Sequence, residues 1–309
     1  MSSTKASLRL AESIDGSGKL VRKGADKLVD TIDEFAKIAA SSGCSELMAF
    51  ATSAVRDATN SDDVLARVRN EAGVNLKVLS GVDESRLTFL AVRRWYGWSA
   101  GRIINIDIGG GSLELSSGVD EEPDVALSLP LGAGRLTREW LPDDPPGRRR
   151  VAMLQDWLAN ELAEAGAKVL DAGTPDLTVA TSKTFRSLAR LTGAAPSGAG
   201  PRVKRTLTAA GLRQLIAFIS RMTAADRAEL EGVSAERAPQ IVAGALVAEA
   251  SMRALSIDTV DICPWALREG LILRKLDSEA DGAAFADGVG ISAVVKRSAD
   301  SAKARGDKR

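Results

Sequence analysis

The chain has 309 residues, enough for two domains with separate cores, and its 45% hydrophobic and 27% charged residues are the mixture of a soluble globular protein. Lys+Arg and Asp+Glu both number 41, so the formal net charge is zero, which argues against nucleic acid or membrane as a partner and makes any anion site local. Histidine is absent, which excludes a Ser-His-Asp triad, a Cys-His dyad, a His-ligated zinc and a phosphohistidine, and leaves acid/base chemistry to carboxylates or lysines and any metal site to oxygen ligands.

Residues 1–10 lack an apolar signal-peptide core, and residues 6–10 read as a strand. Apolar residues at helical spacing, among them Leu28, Ile32, Phe35 and Ile38, predict a helix over 20–41 that Gly43 closes. A buried strand is expected over 46–51, a helix over 61–72 and a short strand over 76–79. The next helix, 83–98, opens with two acids that suit the positive end of its dipole. Strands follow at 102–108, 113–117 and 125–129, then helices at 133–140, 148–165, 184–191, 208–222 and 238–255. Strands at 177–180 and 259–262 interrupt that helical half, and a last helix covers 265–276. Alternation of this kind predicts an α/β architecture with a mixed sheet. The remainder, 277–309, is small, polar and basic at its end, and is expected to be a disordered tail. Cys44 and Cys263 lie too far apart and are too few for a metal cluster or a disulfide framework, which fits a reducing cytoplasm. No run of ~18 apolar residues predicts a membrane span.

The most informative stretch runs from Ile106 to Glu114. A hydrophobic strand delivers Asp107, then Gly109, Gly110, Gly111 and Ser112, and a new strand resumes at Leu113. Glycines let backbone N–H groups approach phosphate oxygens, and a strand-end Asp can hold Mg²⁺ beside them. A Walker loop is excluded because no Lys follows the glycines, and a dinucleotide fingerprint because the next element is a strand. A strand, Asp-x-Gly-Gly-Gly-Ser and a strand instead resemble the phosphate hairpin of the actin-like ATPases and sugar kinases.

Other segments narrow the resemblance. Ser80 to Leu87, with Glu84, looks like one signature of the exopolyphosphatase/pppGpp phosphohydrolase (Ppx/GppA) family, and Ala51 to Asn60, with Arg56, like another. Ser128 to Gly132 with Arg135, Arg237 to Ala245, and Ala266 to Leu271 match three more. The resemblance implies a two-domain actin-like ATPase (ribonuclease H-like) fold with mixed five-stranded sheets, divided here as 1–90, 91–276 and the tail. It implies hydrolysis of the terminal phosphoanhydride bond of inorganic polyphosphate, with a pppGpp 5′-phosphohydrolase of the stringent response, or a non-catalytic polyphosphate- or nucleotide-binding relic, as alternatives. Carried over by motif, Glu84 is the general base, Asp107 holds Mg²⁺, and Arg56, Gly109, Gly110, Gly111 and Ser112 bind phosphate. Glu114 is a further acid beside the hairpin. The family allows a homodimer.

Three departures stand out. The chain opens near the family's third strand, so the first domain is expected to lack its first two strands and their phosphate loop, with Met1 read as an internal methionine. Residues 179–184 lack the glycine pair at which nucleotide-using relatives approach a base, which favours polyphosphate over pppGpp. The C-terminal His-Asp domain of the long forms is expected to be absent, since no histidine occurs and only the tail follows Leu276.

Overall fold

The computed structural model describes residues 4, 6, 8–280 and 289–290. Residues Gly81–Asp277 form one compact unit, and the described residues before and after it form another.

The first unit is built on two helices, α1 (Arg22–Ser41) and α3 (Ser61–Ala72). They bury Leu28, Val29, Val64 and Val68 against each other. The expected strand over 46–51 is broken into β1 (Glu46–Leu47) and β2 (Phe50–Ala51), and a short helix, α2 (Ser53–Arg56), follows. The strand β2 pairs in parallel with β3 (Lys77–Val78), and β1 pairs antiparallel with Val289–Gly290. The strand expected at 6–10 does not form. Leu8 and Arg9 are irregular, and Leu10–Ser13 is a turn of 3-10 helix, because no described strand lies alongside to accept the ladder. Ile32 and Phe35 therefore stay half-buried and line an apolar cavity of about 390 Å³ instead of closing a core.

The second unit opens with α4 (Gly81–Tyr96), placing the unit boundary before residue 81 where the sequence reading drew it at 90. The sheet begins with β4 (Ile103–Ile108), β5 (Leu113–Gly118) and β6 (Val125–Leu129), an antiparallel meander. Helices α5 (Ala133–Trp140), α6 (Arg148–Glu161) and α7 (Ala163–Asp171) follow, so the single helix expected over 148–165 is interrupted at Leu162. Next come β7 (Leu177–Ala180), α8 (Ser182–Leu191), β8 (Thr206–Thr208), α9 (Ala209–Ile219), α10 (Ala224–Ala228), α11 (Ile241–Ala254), β9 (Thr259–Ile262) and α12 (Leu267–Ala280).

The sheet order is β6-β5-β4-β7-β9-β8, with β4, β7 and β9 parallel and the others antiparallel. This sheet has six strands, not the five expected. The extra edge strand β8 is three residues long and ends at Thr208, where the helix expected over 208–222 begins; Thr-Leu-Thr is too short to show a period of two. The helix α12 likewise continues through 277–280, which the sequence reading assigned to a disordered tail. Extending a formed helix adds one hydrogen bond per residue without a new nucleus. The rest of the expected tail, apart from Val289–Gly290, lies outside the described residues.

One face of this sheet, through Ile104, Ile106, Ile108, Leu113 and Leu115, packs into the main core. The helix α11 is buried without interruption from Ile241 to Met252, so it has no polar face and runs through the middle of that core. Each large aliphatic side chain fully buried there contributes about 2 kcal/mol. The opposite sheet face carries Ile103, which packs with Phe89 and Val92 of α4. Among the described residues, no helix is long and apolar enough to cross a membrane.

Candidate active site

The register of the β4–β5 hairpin sets the chemistry. Asp107 lies directly opposite Glu114, and directly opposed residues in an antiparallel ladder project from the same face. Two carboxylates thus stand side by side on the face that α4 covers. The second unit brings Glu84 to them: it is 7% exposed on the first turn of α4, and the neighbouring Ser85 hydroxyl donates to the Leu115 carbonyl at 3.1 Å. The helix α12 holds α4 in place from behind, since a Cβ on Gly270 would fall 1.9 Å from the Leu87 carbonyl oxygen.

The electrostatics follow from that crowding. Burial pushes the Glu114 carboxyl up to about 8, and the charges of Asp107 and Glu84 add to the rise against hydrogen bonds from Ser112 and Ser128. The Ser128 hydroxyl donates to Glu114 Oε1 at 2.9 Å. Burial also raises Asp107, opposed by a hydrogen bond from Thr181 Oγ1 to Asp107 Oδ2 at 2.5 Å and by the charge of Arg186.

Between the two strands the chain turns through Gly109, Gly110, Gly111 and Ser112, where Gly109 N–H donates to the Ser112 carbonyl at 2.9 Å. The start of α5 grips the outside of this turn. Ala133 N–H donates to the Gly109 carbonyl, Arg135 N–H to the Gly110 carbonyl and Arg135 Nε to the Gly111 carbonyl, each at 3.0 Å. With those carbonyls taken from behind, no backbone acceptor among the described residues pairs with the N–H groups of Gly110, Gly111 or Ser112. Gly132 makes the grip sterically feasible: a Cβ there would stand 2.3 Å from the Gly111 carbonyl carbon and 2.4 Å from the Ser112 nitrogen.

Asp107 and Thr181 both sit at the carboxyl ends of parallel strands, where open α/β sheets place ligands. Beyond Thr181, a cavity of about 660 Å³ is lined by Lys183, Arg186, Arg190, Arg205 and Arg237, with no aromatic side chain in its wall. Burial lowers the Arg237 guanidinium, with the charge of Glu236 opposing the fall and that of Arg186 adding to it; basic side chains outnumber the two acids of this wall, Glu231 and Glu236. Residues 179–184 carry no glycine, yet one of them adopts a glycine-like backbone. Ser182 takes φ 75°, the left-handed conformation a glycine adopts freely, so the backbone path of a glycine turn is kept at the cost of strain.

Of the residues singled out from the sequence, Glu84, Asp107, Glu114, Gly109, Gly110, Gly111 and Ser112 come together in the second unit. Arg56 belongs to the first, where its Nη1 donates to the Leu79 carbonyl and its Nε to Asp57, both at 3.1 Å. Thr181, Ser128, Arg135 and Arg186 were not foreseen as site residues. For the first three the signal was present only as membership of matched or polar segments, because their roles depend on strands and helices distant in sequence.

Among the described residues, no three or more His, Cys, Asp or Glu side chains stand ready to enclose a metal ion by themselves. The donor set is nevertheless all hard oxygen, and its raised carboxyls are a site that a hard divalent cation would relieve. Such a cation is commonly held by one or two carboxylates and completed by substrate phosphate oxygens.

The family model for Ppx/GppA phosphatases matches residues 1–279. The chain belongs to the Ppx/GppA phosphatase family. It is 81% identical over 296 residues to Exopolyphosphatase 1 of Mycobacterium tuberculosis, covering 96% of this chain and 86% of that protein. Exopolyphosphatase 1 of Mycobacterium leprae is 83% identical over 285 residues, 92% of this chain and 84% of the relative. Among solved structures, an exopolyphosphatase from Cytophaga hutchinsonii superposes with a TM-score of 0.76 at 22% identity, covering 84% of each chain. The Aquifex aeolicus member of the family gives a TM-score of 0.71 at 23% identity, over 88% of this chain and 87% of the other. These likenesses establish the actin-like fold.

Proposed function

We propose that the chain is an exopolyphosphatase, releasing orthophosphate from the end of inorganic polyphosphate. The observation that carries this reading is the Asp107–Glu114 pair, set opposite one another across a glycine turn whose inner N–H groups have no backbone acceptor among the described residues, with Glu84 buried beside it. A terminal phosphate seated on Gly110, Gly111 and Ser112 would receive donors already fixed in place by α5, so little reorganisation accompanies charge build-up on its oxygens. Glu84 takes the proton of the attacking water and orients it in line with the bond to be broken. Asp107, with Glu114 beside it, is the proposed holder of Mg²⁺. When bound, this ion supplies neutralisation of the phosphate oxygens. Arg56 has the proposed role of pairing with phosphate oxygens.

Substrate choice is read from the arginine-lined cavity. Its positive wall suits the successive phosphates of a chain, and the lack of an aromatic face leaves a guanine without a stacking partner. The free thiols, Cys44 exposed and Cys263 buried, support a reducing cytoplasmic setting.

Phosphate release from long-chain polyphosphate with Mg²⁺ tests the reading. Glu84→Gln is expected to lower kcat by about a thousandfold with the fold intact, as loss of a general base and water-orienting group should. Chelation of divalent cations is expected to abolish turnover, and added pppGpp to compete poorly. Turnover undiminished in Glu84→Gln would sink the general-base assignment, and preferential hydrolysis of pppGpp would overturn the substrate.

A further inference from the structure

The sheet face that carries Asp107 and Glu114 continues inward beneath α4. The next pair on that face is Asn105 opposite Ser116, and the one after it is Ile103 opposite Gly118. Ile103 belongs to an apolar cluster with Phe89, Val92 and Val179, and Val179 is also the neighbour of Asn105 in the β4–β7 register. A polar rung thus lies between the carboxylates and an apolar floor. It interrupts a strand that is otherwise isoleucine apart from Asp107, at a position where Asn has low strand propensity.

Asn105 is 1% exposed and Ser116 fully buried. Among the described residues, neither Asn105 Oδ1, Asn105 Nδ2 nor Ser116 Oγ has a hydrogen-bond partner. An amide side chain brings an acceptor and two donors, and a serine one donor and an acceptor. Buried groups of this kind are almost always paired with protein or with ordered water, and a site lined by several of them is polar enough to hold water.

We propose that Asn105 and Ser116 hold ordered water in a buried slot directly behind the Asp107–Glu114 pair, through which Asn105 positions those carboxylates. Residues two apart on a strand are separated by about 6–7 Å, too far for a direct hydrogen bond between short side chains and close to the span of one bridging water. The amide suits this role because it can donate toward one neighbour and accept from another. The positioning half of the inference rests on the functional reading above. The water site rests only on burial and on the lack of protein partners.

Two measurements decide it. A high-resolution crystal structure of the chain is expected to show water within hydrogen-bond distance of Asn105 and Ser116; a dry slot would overturn the proposal, whatever the enzyme hydrolyses. In kinetics, Asn105→Leu keeps the branched shape and the number of heavy atoms and removes the amide. It is expected to melt no lower than the native chain, yet lose about tenfold in kcat with KM changed less than about twofold, the size of effect seen when a supporting hydrogen bond is removed behind a reacting group. Asn105→Thr, which restores a hydroxyl, should recover part of that loss. Should the leucine variant fail to fold, Ser116→Ala removes one water partner with the smallest change of shape and is expected to lower kcat in the same direction. Full kcat in the folded variants would overturn the positioning role. A native chain that binds water there but hydrolyses no polyphosphate would overturn both that role and the functional reading, and leave the water site standing.

Discussion

The two units carry similar signals in sequence and resolve them differently. In the second, the apolar runs around 103–108 and 113–118 become six-residue strands, with every residue of β5 buried and partners on both sides. In the first, the comparably apolar run 46–51 yields two strands of two residues each, largely half-buried. The difference lies in the neighbours. A strand is stabilised by ladders on its edges and by same-face contacts across them, so an apolar segment with one short partner stops after a residue or two. The first unit leans on the α1–α3 helix pair, whereas the second has a continuous sheet wrapped around a buried helix. Strand formation here belongs to the sheet more than to the segment.

The strongest way to break the second unit's advantage is at Gly132. Gly132→Val drives a branched side chain into backbone atoms of the glycine turn that cannot move aside singly. The expected result is a loss of stability of about 3 kcal/mol by urea denaturation and no detectable hydrolysis. Normal activity would show that the grip of α5 on the turn is dispensable.

A second effect is readable against pH, in the absence of divalent cations. Folded Glu114 keeps its proton to about 8, whereas an ordinary carboxyl releases it near 4.5. The folded state therefore binds the extra proton, and the stability that Glu114 contributes is fully present below about pH 4.5, falls as pH rises toward about 8 and is lost above it. Glu114→Gln should flatten that slope and melt higher than the native chain at pH near 8. An unchanged slope would mean that Glu114 is charged throughout.

Val68→Ala sharpens the comparison from the other side. Val68 is fully buried in α3, and its truncation is expected to cost on the order of 2 kcal/mol. Amide exchange should quicken in α1 and α3 while β4 and β5 stay protected. Equal quickening in both units would show that they open together. The smallest effect is at Ser182, where Ser182→Gly relieves the left-handed backbone and should raise stability by up to about 1 kcal/mol, measured by thermal melting. A fall instead would mean that the Ser182 hydroxyl, which accepts from Phe185 N–H at 3.4 Å, outweighs the strain.

Much of the second unit was legible in the sequence because its strands and helices are long enough to show their period, and because Asp107 and the glycines stand together in the chain. Bounds for β6, α5, β7 and β9 agree with the expectation from pattern alone. What stayed hidden is non-local or too short. The strand β8 has three residues, and Leu162 breaks a helix whose apolar pattern runs on past it. Thr181 meets Asp107 from 74 positions away, so no spacing rule connects them. In the first unit the strand expected at 6–10 was a sound reading of propensity that found no ladder to join. Glu84 was legible as a helix-opening acid, yet its burial beside Glu114 depends on α12 pressing Gly270 against Leu87.

The opposition of Asp107 and Glu114 makes the site a matter of counting. Sides alternate residue by residue along each strand, so the number of residues in the turn decides whether two acids meet or an acid meets an isoleucine or leucine. A one-residue register shift caused by a single glycine added there would leave charge and helix content unchanged while dissolving the pair. The length of this four-residue turn therefore constrains the site as directly as the identity of any side chain in it.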